Sequence, residues 1–187
     1  MPTPGTSNSQ SDTVDNPDIS MLKLRPADTD DYDTIKLFFD EGRAFQRSLG
    51  FVQWKDNYPS RDVIFEDIRL KRGYVIEHDG IDIGYAVVDF SDSEYYRLNT
   101  IWRLQGDYAV VHRLVLGDCA RGSGRGKGVI EAAEKIARSK GASIMRFDTG
   151  VHNLPMQNLL ESMNYNNLGI FDFVWGPRYA YEKSLIQ

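Results

Sequence analysis

The stretch "RLVLGDCARGSGRGKGVIEAAEKIARSKGA", residues 113–142, decides the fold. It passes from an apolar strand-like run through a loop with glycines at 122, 124 and 126 into a segment whose Val129, Ala133, Ile136 and Ala137 share one helical face. A glycine-rich turn between a strand and a helix start gathers unpaired backbone N–H groups and the positive end of the helix dipole at one point. Arg121, Arg125 and Lys127 add cations there. A phosphate or pyrophosphate is the natural guest of such a loop. Two nucleotide motifs fail on spacing. No glycine stands five residues before Gly126 and Gly128 follows Lys127, which excludes G-x-x-x-x-G-K-[ST]; Lys127 occupies the third glycine position of G-x-G-x-x-G.

Working outward, "MLKLRPA" alternates like a half-buried strand, and Asp28 and Thr29 start a helix running to about Leu49, with Gly50 closing it. Ser60 caps a second helix that Gly73 stops. "YVIEHDGIDIGYAVVDF" reads as two strands joined at Asp79-Gly80, a strong hairpin signal. "DYAVVHRLVLG" is a strand, residues 128–140 a crossover helix, and "ASIMRFDTG" a buried strand expected parallel to the one before the loop. A shorter helix, "PMQNLLESM", leads to "LGIFDFVWG" and "RYAYEKSL", with Gly176-Pro177 as the turn between them. The order β-α-α-β-β-β-α-β-α-β-β describes a mixed central sheet of about seven strands flanked by about four helices, an α/β (α+β) fold. Residues 1–20, rich in Ser, Thr, Asn, Asp and Pro, have little to bury and read as a disordered tail ahead of one domain spanning 21–187.

A net charge of −5, from 22 basic and 27 acidic residues, repels polyanions and argues against a nucleic-acid partner. No apolar run is long enough to span a bilayer, so no membrane partner is expected. The single cysteine, Cys119, has no internal disulfide partner, which fits a reducing, cytoplasmic setting.

Residues 121–126 match R-x-x-G-x-G, and with "MRFDT", Asn153, "LLESMNY" and the terminal "YAYEKSL" the chain over about 21–187 resembles the GNAT superfamily of N-acetyltransferases. The resemblance implies acetyl-CoA as co-substrate and no metal. It assigns the coenzyme A pyrophosphate to Arg121, Gly122, Ser123, Gly124, Arg125 and Gly126. Leu114, Val115 and Leu116 would then meet the pantetheine arm and the acetyl carbonyl, and Asn153 would contact the cofactor. Gln53, Trp54 and Tyr58 look like the Q-W-x-x-x-Y-P element of a bacterial subset, so Trp54 and Tyr58 would line an acceptor pocket. Trp102 and Trp175 are further aromatic candidates, and many relatives pair as homodimers through their C-terminal strands.

Acetyl transfer to an amine needs a base, because a primary amine with a pKa near the lysine value of about 10 is protonated at neutral pH. His112, just before the acetyl-binding strand segment, is the leading candidate; Glu94 and Asp107 are weaker ones. The family often protonates the departing thiolate with a tyrosine, but Leu160 stands at that position and Asn164 at the glycine of the following turn. Tyr165 or Tyr181 would then be the acid, or the thiolate would leave unaided. Cys119 is a remote candidate nucleophile. The expected function is direct acetyl transfer from acetyl-CoA to a primary amine of a small molecule. The alternatives are acetylation of a protein N-terminus or lysine, and non-catalytic coenzyme A binding.

Overall fold

The computed structural model describes residues 22–90, 100–173 and 176–186. Its strands are β1 (Leu22–Pro26), β2 (Gly73–His78), β3 (Ile81–Asp89), β4 (Tyr108–Leu116), β5 (Ile144–Gly150), β6 (Asn166–Phe173) and β7 (Gly176–Ser184), joined in one sheet of order β1-β2-β3-β4-β5-β7-β6. The described helices are α1 (Tyr32–Ser48), α2 (Arg61–Arg69), α3 (Gly126–Ser139) and α4 (Leu154–Ser162). The tail, Glu94 and Trp175 lie outside the described residues.

Local chemistry accounts for most boundaries. Asp28 caps a single 3-10 turn, accepting from the Asp30 N–H, and α1 follows. The Ser60 hydroxyl accepts from the Val63 N–H to open α2. Asp79 and Gly80 both take positive φ, 53° and 78°, as a two-residue hairpin turn of the right hand requires. Asn164, at φ 62°, ends α4 where a glycine was expected in relatives. Two expectations shift. Gly73 opens β2 rather than stopping α2, which ends through Leu70 with Lys71 left-handed. Gly176 and Pro177 begin β7 instead of forming the turn, Phe173 facing Gly176 across the ladder.

β4 and β5 are parallel, as the crossover helix requires, but their register holds only from Tyr108↔Ile144 to Val110↔Arg146. Beyond that point the two strands part and leave a wedge in the middle of the sheet. β3 stays paired to β4 through Leu116, with an irregularity: Tyr85 faces Val115 while Val87 faces His112. One extra residue therefore sits on β4 between them, a β-bulge, and Arg113 carries it at φ 52°.

On one face α1 and α2 pack Ile35, Phe38, Phe39 and Ile64 onto Val75, Tyr85, Val87 and Val115. Each such buried side chain contributes roughly 1.5–3 kcal/mol. On the other face α3 and α4 set Ile130, Ala133, Ala137 and Leu160 against Val111, Met145, Phe147 and Tyr181. Back on the first face, Trp102 forms a second cluster with Val110, Leu168 and Ala180.

Candidate active site

The wedge between β4 and β5 opens into a cavity of about 1210 Å³. Its lining joins three groups of residues that are far apart in the sequence: the glycine loop with the head of α3, the end of β4 with the start of α4, and the segment between α1 and α2.

At the first end, Gly122 and Gly124 hold φ of 75° and 78°, with open space where a Cβ would stand. Alternation of left-handed glycines with ordinary residues turns successive N–H groups toward one concavity. The first bond that enters α3 from the loop is Val129 N–H to the Arg125 carbonyl at 3.1 Å. Among the described residues nothing accepts from the N–H groups of Gly122, Gly124, Gly126 or Gly128. These unused donors at a helix start fit a pyrophosphate. The loop is braced from behind. Arg121 donates to the Leu116 carbonyl at 2.7 Å, pairs with Asp118 and lies 4.6 Å over the Phe45 ring; Glu41 of α1 accepts from the Asp118 N–H at 2.7 Å. Arg121 thus shapes the loop as well as lining the cavity, whereas Ser123 turns its hydroxyl back to the Ala120 carbonyl and does not line it.

In the middle of the cavity, Leu114, Val115 and Leu116 line one wall and Phe147, Asp148 and Thr149 the other. Arg113 and Leu114 have no partner in the β3 ladder. Asn153 caps α4 through its side-chain oxygen, accepting from the Met156 N–H at 3.4 Å, and donates its amide N–H to Gln53 Oε1 at 3.0 Å. That same oxygen lies 3.3 Å from the Gly150 nitrogen and 3.4 Å from Thr149 Oγ1. Gln53 therefore ties the α1–α2 segment across the wedge to the head of α4. The segment is held from below by two buried α1 residues: Gln46 Oε1 accepts from the Gln53 N–H at 2.9 Å, and Arg43 donates to the Tyr58 carbonyl at 2.9 Å.

Trp54 and Tyr58 both line the cavity from this segment, and Trp54 also meets Phe39 edge-on with centroids 5.1 Å apart. Below them lies a charged network. Arg113 donates to Asp67 through Nε (2.8 Å) and Nη2 (2.6 Å) and to the Tyr58 hydroxyl through Nη1 (2.9 Å). Arg72 bridges Asp67 (2.9 Å) and Asp89 (2.8 Å), and the Tyr85 hydroxyl donates to Asp67 at 3.2 Å. A left-handed, non-glycine residue within a strand costs of order 1–3 kcal/mol, and the network offsets that strain.

His112 lines the cavity from β4, half-buried, on the sheet face that Asp89 shares through its pairing with Val110. Burial holds its imidazole down to about 4, so it is neutral at neutral pH; Asp148 and Asp89 push the other way. The other acid–base candidates are not brought here. Tyr165 lies in the core on the opposite face, its hydroxyl donated to Glu134 at 2.9 Å and its ring edge-on to Phe147, and burial raises its phenol further above the usual value. Tyr181 donates to Glu161 at 3.1 Å and is raised by the same cause. Leu160 is fully buried. Asp107 and Cys119 are exposed, and neither lines the cavity; Trp102 belongs to its own apolar cluster.

Sequence reading missed Asp67, Arg72, Arg113 and Asp148, because nothing in their local sequence marks them; the fold alone brings them together. Among the described residues no three His, Cys, Asp or Glu side chains form a metal site, and no helix is long and apolar enough to cross a membrane.

Comparison with known proteins agrees with this geometry. An acetyltransferase of the GNAT family from Streptococcus agalactiae superposes with a TM-score of 0.77 at 28% identity, over 87% of this chain and 95% of its own. A Salmonella typhimurium protein solved with acetyl-CoA gives 0.62 at 15% identity, over 89% and 95%. The ribosomal L7/L12 alpha-N-protein acetyltransferase RimL, solved with coenzyme A, gives 0.65 at 14%, over 88% and 94%. No curated protein sequence matches the chain. The profile of the acetyltransferase (GNAT) family matches residues 35–165, and the chain belongs to that family.

Proposed function

We propose that this chain transfers an acetyl group from acetyl-CoA directly to the primary amine of a small molecule. The observation that carries the reading is the continuity of one cavity, from a loop of unused N–H donors at the head of α3, through the β4–β5 wedge, to a polar and aromatic chamber under the α1–α2 segment. Bound acetyl-CoA would supply an electrophilic thioester carbon. The N–H groups of Gly122 to Gly126 would hold its pyrophosphate, with Arg125 adding charge. Leu114, Val115 and Leu116 would line the pantetheine arm, and a backbone N–H at the β4 bulge would face the carbonyl oxygen.

His112, neutral at working pH, takes the proton from the attacking amine; Asp89 and Asp148 favour the imidazolium that results, while Arg113 and Arg72 oppose it. Neither Tyr165 nor Tyr181 lines the cavity, and each hydroxyl donates a hydrogen bond to a glutamate, so the thiolate leaves without either of them as its acid. A thiol with a pKa near that of free cysteine, about 8.5, permits this. A segment latched over the chamber by Gln53 suits a small acceptor better than an extended polypeptide. Calorimetric titration with acetyl-CoA, followed by thiol-release assays on an amine panel, tests the reading. Micromolar binding with turnover of a small amine is expected; absence of binding overturns it.

A further inference from the structure

We infer that the acceptor carries a carboxylate beside its amine, making it a free amino acid rather than a polypeptide terminus or lysine side chain, and that Arg113 and Arg72 hold that carboxylate. The inference rests on the reading above and comes from the hydrogen bonds at the floor of the chamber. Asp67 is fully buried and accepts four donors: two from Arg113, one from Arg72 and one from Tyr85. A carboxylate offers about four acceptor sites, so Asp67 is saturated. A guanidinium has five N–H groups. Arg113 uses three, on Asp67 and the Tyr58 hydroxyl, and Arg72 uses two, on Asp67 and Asp89. The remaining N–H groups of both find no acceptor among the described residues, and both side chains line the cavity.

The arrangement is rigid. Arg113 is fixed by a two-point contact to a buried carboxylate and by the bulge that turns its backbone left-handed, and Tyr58 is anchored at both its carbonyl and its hydroxyl. Guanidinium groups so oriented by one carboxylate present their free donors to a second, which the ligand must bring. Asp89, which also accepts from Arg72, and Asp148, which also pairs with Arg178 of the same lining, stand with His112 in the cavity and suit an ammonium that must lose a proton. The chamber thus matches a molecule with an anionic and a cationic end. A peptide N-terminus or lysine side chain has an amide where this site presents charged donors.

The test uses the wild-type chain saturated with acetyl-CoA. Thiol release is measured for the twenty free amino acids, and for the α-carboxamide and the decarboxylated amine of each substrate found. A site that hydrogen-bonds a substrate group strongly rejects analogues lacking it. We expect kcat/KM for the free acid to exceed that of both analogues by at least about 100-fold. Equal or better turnover of the amide, the amine or a peptide N-terminus overturns the inference. Arg113→Lys should raise KM for the amino acid at least about tenfold while KM for acetyl-CoA stays constant; an unchanged acceptor KM overturns the role of Arg113. If that variant does not fold, Arg72→Lys is read in the same way. Should acetyl-CoA bind while no free amino acid releases thiol or shifts the thermal midpoint of the acetyl-CoA-loaded protein, this inference falls and the cofactor reading stands. Should acetyl-CoA itself fail to bind, the proposed function falls first.

Discussion

His112 shows how its setting decides whether a side chain can be a base. Its imidazole is pushed down from the ordinary 6.5 to about 4 in the fold, because burial, with Arg113 and Arg72 adding to it, penalises the charged form more than Asp148 and Asp89 favour it. The sign of the stability effect follows. Above pH 6.5 both folded and unfolded chains carry neutral histidine, and stability is unaffected. As pH falls from 6.5 to about 4 the unfolded chain takes up the proton first, so stability is lost by up to ~3 kcal/mol, and below 4 the loss stops. Urea midpoints at pH 7 and pH 4.5 should therefore differ less in His112→Ala than in the wild type; the same difference in both would refute the assignment. The same variant should lower kcat with little change in acetyl-CoA affinity. Tyr165 makes the contrast. Tyr165→Phe removes one donor from Glu134, which keeps Lys183 at 2.8 Å, and should cost about 1–3 kcal/mol in chemical denaturation with kcat unchanged. A large fall in kcat would return Tyr165 to the site. The place of His112 on the cavity wall was legible because it precedes a recognisable strand segment. Arg113 was not, since its left-handed backbone arises from a register mismatch with β3 that no local pattern announces.

At the scale of elements, the glycine loop and the α1–α2 segment differ in how far sequence could go. The loop is local: strand, alternating glycines and helix are contiguous, so its geometry could be read directly and its positive φ values confirm the need for glycine. Gly124→Val would force a β-branched residue to φ 78° and set its side chain into the open space at the loop, where the proposed function puts the pyrophosphate. The expected outcome is a loss of stability of roughly 1–2 kcal/mol with acetyl-CoA binding reduced below calorimetric detection. Retained affinity would move the pyrophosphate elsewhere. The α1–α2 segment is different, because what shapes it is non-local. Gln53 reaches residues 149–153, and Tyr58 reaches Arg113. The aromatic residues there announced a pocket, but not that one glutamine amide oxygen would close it against the head of α4.

The whole molecule is a sheet with a wedge at its middle. β1 to β4 form one continuous antiparallel run and β5, β7 and β6 another, and only a short parallel ladder joins them. Element order and the parallel pair were legible from hydrophobic period and the crossover rule. The insertion of β7 between β5 and β6 was not, because strand order within a sheet depends on which edges bury which faces, and each terminal strand alone carries the same alternating pattern. This architecture makes ligand binding a matter of global stability. A molecule held at once by the loop on α3, the β4 wall and the head of α4 would bridge the two runs, and only the folded chain can offer all three. Acetyl-CoA at one hundred times its dissociation constant should stabilise the fold by about 2.7 kcal/mol, which for a chain of this size is a rise in Tm of roughly 5–10 °C. The rise should grow with the logarithm of concentration and vanish in Gly124→Val. A midpoint that stays constant across that range would mean that the wedge and the loop do not act as one binding site.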